Sequence, residues 1–122
     1  GICGESKLTE TLKILVAGKS IGNHTIAVRQ IEESDDFTQC HILFISDSAA
    51  ARMPGILEKA AALPILTVGE NDAFARYGGI INFVLKNGNV RLEIDLAAAR
   101  KAGLTISSRL LAVADVVKGK SN

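Results

Sequence analysis

The chain has 122 residues, 48% of them hydrophobic, and its 14 basic against 13 acidic side chains leave a formal charge of +1. That length fits one domain over residues 1–122, able to bury roughly two-thirds of its unfolded surface. Balanced charge without like-charge blocks, only five aromatic side chains (four Phe, one Tyr, no Trp) and no run of ~18 uncharged apolar residues argue against a nucleic-acid footprint, a base-stacking platform and a membrane span.

Gly1-Ile2-Cys3-Gly4 reads as a strand. Ser6 can cap a helix carrying Leu8, Leu12, Leu15 and Val16, ending near Gly18 and covering one face of a sheet. From His24 to Ile31, Ile26 and Val28 alternate with Thr25, Ala27 and Arg29, the pattern of a half-exposed edge strand. Glu32 to Gln39 is a short acidic connection, with Asp35-Asp36 a solvated turn. The apolar run Ile42 to Ile45 suits a strand buried on both faces and is expected at the centre of a parallel sheet. Ser48 starts a helical turn that Met53-Pro54 interrupts, and Pro54 opens a helix using Ile56, Leu57, Ala60 and Ala61. Pro64 stops it before a strand at Ile65 to Val68. Asn71 can cap a short helix through Tyr77, closed by Gly78.

Asn87-Gly88 is a strong hairpin signal, because both central residues of a type I′ turn need positive φ. With those two at the turn, Lys86 pairs with Asn89 and the register follows. Phe83 then faces Leu92, Leu85 faces Val90 and Ile81 faces Ile94 on one side, while Asn82 faces Glu93 and Val84 faces Arg91 on the other. Phe83 and Leu92 are expected as a buried pair. Beyond the hairpin, Asp95 caps Leu96 to Ala102 with Gly103 at its end, and Ser107 caps a last helix carrying Leu110, Leu111, Ala114 and Val117. Strands alternating with helices indicate α/β, with a mostly parallel sheet extended by a C-terminal antiparallel hairpin.

The order of three pieces carries a family resemblance. They are Cys40-His41-Ile42-Leu43-Phe44-Ile45-Ser46, Pro64-Ile65-Leu66-Thr67-Val68-Gly69-Glu70, and the run from Gly78-Gly79 through the hairpin to Leu111. In this order the chain resembles, over nearly its whole length, the YfiR family of bacterial periplasmic proteins. The resemblance implies a Rossmann-like three-layer domain and a non-enzymatic repressor, without cofactor, acting in the periplasm as a homodimer. Its partner would be the periplasmic sensor region of an inner-membrane diguanylate cyclase, whose cyclic-di-GMP synthesis it would limit. Family members carry a signal peptide and a first helix ahead of the Gly1–Gly4 strand, so a processed or trimmed chain is expected here, with association covering the surface which that helix would bury.

Catalytic and metal chemistry finds little footing. Gly18-Lys19-Ser20 lacks the first Gly of a phosphate-binding loop, since Lys13 stands there, and it closes a helix instead of opening one. Gly1 and Gly4 make no dinucleotide fingerprint. Cys3-Gly4-Glu5 and Ser46-Asp47 only loosely imitate a phospho-acceptor site. Cys40 and His41 are neighbours on a strand and point to opposite faces, so with His24 and Cys3 they form no zinc set. Ser46 and Ser48 lack a nucleophile elbow, and His41 cannot serve as base to Cys40. Cys3 would sit at the end of the first strand and Cys40 at the start of a later one, ends separated in a parallel sheet by on the order of 15 Å, which favours two unpaired thiols over a disulfide.

The remaining candidates lie on or before the hairpin. Gly78, Gly79, Asn82, Phe83, Asn87, Gly88, Leu92 and Glu93 are expected to build it, with Asn82 and Glu93 in a cross-strand polar ladder. Arg76 and Tyr77 on the entering loop, with Arg91 and Arg52, are the candidate partner-binding residues, since mixed charge with one aromatic suits recognition. The alternative is a small-molecule sensor whose crevice lies at the strand ends Gly4, Ser46 and Gly69.

Overall fold

The computed structural model describes residues 1–4, 11, 14–15 and 17–116. Its strands are β1 (Ile2–Cys3), β2 (Ser20–Ile21), β3 (His24–Thr25), β4 (Ile42–Ile45), β5 (Leu66–Gly69), β6 (Ile81–Lys86), β7 (Asn89–Ile94) and β8 (Asp115–Val116). The helices are α1 (Met53–Ala61), α2 (Leu96–Lys101) and α3 (Ser108–Ala112), with 3-10 turns at Asp47–Arg52 and Ala75–Tyr77. Six strands join in the order β1-β4-β5-β6-β7-β8; β1, β4, β5 and β6 run parallel, and β7 returns antiparallel to β6. This is the mixed α/β, Rossmann-like architecture expected from the sequence. Outside β1, Gln30 bridges Ile2 in parallel, with Ile2 N donating to Arg29 O and Ile31 N to Ile2 O, both at 2.8 Å. The parallel order therefore reverses once, between β1 and β4, where open α/β sheets commonly bind ligands.

Residues in register share a face of the sheet. Leu43, Ile45 and Thr67 lie on one face, where Ile56, Leu57 and Ala60 of α1 close over Leu43 and Ile45. Val68, Ile81 and Ile94 lie on the other, covered by Leu104, Ile106, Leu110 and Leu111. The connection before β4 is more ordered than a solvated turn. Phe37 is 1% exposed, Asp35 and Asp36 accept from Glu32 N and Thr38 N, and Lys59 Nζ lies 4.3 Å from the Phe37 ring centre while donating to Glu33 O and Asp35 O.

The caps act where the sequence places them. Asp95 Oδ1 accepts from Ala98 N at 3.1 Å and Ser107 Oγ from Leu110 N at 3.2 Å, while Gly103 turns at φ 76°. Asn87 and Gly88 take φ 53° and 78°, and the hairpin pairs in the expected register, Phe83 opposite Leu92 and Asn82 opposite Glu93.

Several expectations need correction. The expected strand from His24 to Ile31 is broken: His24–Thr25 pairs with Ser20–Ile21 in a separate ribbon, and only Gln30 reaches the main sheet. β4 is flanked on both sides but stands second in the order, with Ile42 at its exposed end. Ala61 is exposed, and Met53 takes a core position instead. The last helix stops at Ala112, because the chain turns to lay Asp115 and Val116 beside Glu93 and Ile94. Most of the first expected helix, and Val117, fall outside the described residues; Leu15, which is described, is exposed.

The largest correction concerns Phe83, which is 43% exposed although its register is as expected. β5 pairs with β6 only at Val68↔Ile81 and Gly69↔Asn82, so from Phe83 onward β6 runs past the end of β5, with β7 as its one strand partner among the described residues. Burial thus declines along the hairpin, from Ile81 and Ile94 at its base to Val90, 67% exposed, near its tip. Phe83→Ala is accordingly expected to cost about 1–2 kcal/mol in chemical denaturation, below the ~3–5 kcal/mol of a fully buried ring.

Candidate functional site

The strand-end crevice of the sensor alternative is filled by the protein itself. Ser46, 1% exposed, shares a 2.8 Å hydrogen bond with Ser48 directly over Gly4, where a Cβ would meet Ser48 Oγ at 2.6 Å. Gly69 is covered by the Phe74 ring. The two cysteines are not bonded to each other. Burial, and next the nearby Cys40, push the Cys3 thiol up to about 11, which keeps it protonated and poorly nucleophilic at neutral pH. Cys40 Sγ donates to Ile42 O at 3.1 Å.

The segment from Glu70 to Gly79, which crosses from β5 to β6, is held from several sides. Asn71 Oδ1 accepts from Ala73 N at 2.9 Å, and its amide donates to Asp47 Oδ1 at 2.7 Å; Asp47 N in turn donates to Glu70 Oε2 at 3.0 Å. Phe74, fully buried, packs between Gly69 and Gly79, and a Cβ at either glycine would overlap its ring. Gly79 N closes the turn onto Phe74 O at 3.1 Å, and Gly78 supplies φ 92°. Asn82, expected in a cross-strand polar ladder on a solvated or helix-covered face, is 2% exposed and donates to Asn71 O at 2.9 Å. It occupies the face that Glu70–Gly79 covers, because its parallel neighbour is Gly69.

The four candidate partner-binding residues do not share one environment. Arg91 lies on β7 and holds Asp115 of β8 at 2.8 Å, a hydrogen bond and charge pairing that raise its pKa. Arg52 pairs loosely with Glu32 at 3.7 Å. Arg76 and Tyr77 stand together on the 3-10 turn Ala75–Tyr77, both exposed, and the Arg76 guanidinium has no hydrogen-bond or ion-pair partner among the described residues. The packed platform beneath them, Phe74 between two glycines with the Asn71 network, was missed by sequence reasoning. Its signal was the spacing Gly69-x4-Phe74-x4-Gly79, which has meaning only once the crossover is known to fold back on itself.

Residues 1–115 match the model of the YfiR/HmsC-like family. The chain belongs to that family. A solved structure, a conserved domain protein from Vibrio cholerae O1 biovar El Tor str. N16961, is similar to this YfiR/HmsC-like chain with a TM-score of 0.72 at 15% identity. The match covers 95% of this chain and 53% of that one, so the chain spans about half of that protein, and the likeness concerns the fold alone. No curated protein matches the YfiR/HmsC-like chain. Among its described residues no helix is long and apolar enough to cross a membrane.

Proposed function

We propose that this YfiR/HmsC-like chain is a periplasmic regulator without catalytic activity, which binds the sensor region of a membrane-anchored diguanylate cyclase and limits cyclic-di-GMP synthesis. Family membership supports the class of function, and the observation that carries the binding reading is the Arg76–Tyr77 turn. Arginine and tyrosine dominate interface hot spots, and a contact pair held in place before binding loses less conformational entropy on association. Here the Phe74 packing and the Asn71 hydrogen bonds hold the backbone that presents them. Two observations support the absence of catalysis: Ser46 is buried against Ser48, and the Cys3 thiol is buried with a raised pKa.

Arg76→Glu tests this reading. The side chain is exposed and unpaired among the described residues, so thermal melting should stay within ~0.5 kcal/mol of the parent. Capture of the sensor region of a cyclase encoded beside this chain should weaken about tenfold or more. Unchanged affinity would remove Arg76 as a recognition residue.

A further inference from the structure

A second feature lies behind the turn. Across the ends of three strands, Thr67, Ile80 and Asp95 form one row on the face that α1 covers, linked by Ile80 N donating to Thr67 Oγ1 at 3.0 Å and Asp95 N to Ile80 O at 2.9 Å. α1 stands on one side of this row and α2 on the other. The side chains that line the gap include Leu57, Glu58 and Ala61 from α1 and Ala98 and Lys101 from α2. Alanines are too short to close it. A cavity of about 440 Å³ remains, with Tyr77 at its side, within the range of small-molecule sites.

We propose that this cavity is a binding site for a small, largely apolar molecule that carries a hydrogen-bond acceptor such as a carbonyl or hydroxyl oxygen and no carboxylate or phosphate. The chemistry follows from the floor. Thr67 is 4% exposed, and its one hydrogen bond among the described residues is accepted from Ile80 N, so the hydroxyl proton is left to point at an acceptor inside the cavity. An acceptor on the ligand satisfies it. Asp95, also 4% exposed, lines the same floor with a carboxylate that caps α2, and with Glu58 it sets two acids in the lining against one base, Lys101, so a ligand carboxylate or phosphate would face net like charge there. The aliphatic part of the walls, Leu57, Ala60, Ile65 and Ala98, supplies hydrocarbon contact for the ligand body. The site is distinct from the closed crevice at the strand ends and does not depend on capture of a cyclase.

Nile red, a neutral polycyclic dye with a carbonyl acceptor, is a suitable probe for the purified chain. Saturable one-to-one binding with blue-shifted emission is expected. Ala61→Phe, which places a ring in the mouth from the exposed side of α1, should weaken it about tenfold or more, while Phe83→Ala, on the exposed hairpin, should leave it unchanged. Thr67→Val should weaken it about fivefold, and Thr67→Ser, which keeps the hydroxyl, should bind as the parent does. The Thr67→Ser result separates lost binding from lost folding. No saturation by about 100 µM dye, or binding abolished by Phe83→Ala and untouched by Ala61→Phe, would overturn the site. Equal affinity of parent and Thr67→Val would overturn the hydrogen bond that defines the ligand class.

Discussion

Phe74→Ala is expected to cost about 3–5 kcal/mol, enough to leave a domain of ordinary stability largely unfolded on mild heating. The ring is fully buried and belongs to the same core as Leu43, Ile45 and Ile56. Its neighbours cannot collapse into the space, because two of its contacts are backbone at Gly69 and Gly79. The converse change should also be costly: Gly79→Ala pushes a methyl into the ring, an overpacking penalty of about 1–3 kcal/mol. The two effects are coupled. In a Phe74→Leu background the Gly79→Ala penalty should shrink, and a double-mutant cycle by chemical denaturation measures the difference. Strict additivity of the two changes would show that the ring and the glycine do not share the space described.

Asn82→Asp is expected to be nearly as damaging at neutral pH, about 3–5 kcal/mol, for an electrostatic reason. The Asn82 amide donates to Asn71 O, and its Oδ1 is buried without a partner among the described residues. An ionised carboxylate there donates nothing and sits against a carbonyl oxygen, with no cation paired to the site among the described residues. Burial raises a carboxyl pKa, so the folded variant holds its proton to higher pH than the unfolded chain does. Its stability should therefore be greatest below the unfolded value of about 4 and fall as pH rises through the window up to the raised folded value. Below that window the protonated acid can donate to Asn71 O much as the amide does. Melting of parent and variant from pH 4 to 8 should show a gap that widens with pH; a gap of constant size would mean that Asn82 is not in a desolvated site.

Local features were legible in the sequence where a local rule governs them. Asn87-Gly88 set the hairpin register, and Asn71, Asp95 and Ser107 each cap the turn or helix that follows, because turn and cap chemistry act over a few residues. Burial along the hairpin was not legible. Alternation separates an apolar face with Phe83 from a half-polar face with Asn82, and it points to burial of the first without deciding what covers the second. The observed burial comes from the two-pair overlap between β5 and β6 and from the Glu70–Gly79 crossover lying over Asn82. Both are non-local pairings without a compositional mark. β8 escaped for another reason: two residues are too few to show periodicity, and Ala114 suited the helix before it as well as the turn. At the candidate site, the Arg76–Tyr77 pair was visible as an exposed charge beside an aromatic, whereas the cavity behind it depends on how far apart two helices settle.

The placement of β1 has a consequence for the order in which the molecule assembles. Ile2 and Cys3 are buried between the Gln30 segment and β4, where Ile2 aligns with Phe44 and Cys3 with Ile45. The β6–β7 hairpin closes a loop of two residues and can form within microseconds, but β1 has no partner until the chain has been brought round as far as Gln30 on one side and Phe44 on the other. Each of its flanking contacts carries that loop-closure entropy. Docking of β1 is therefore a late and slow step, and until it happens the adjoining edge of β4 stands open to strands of other chains.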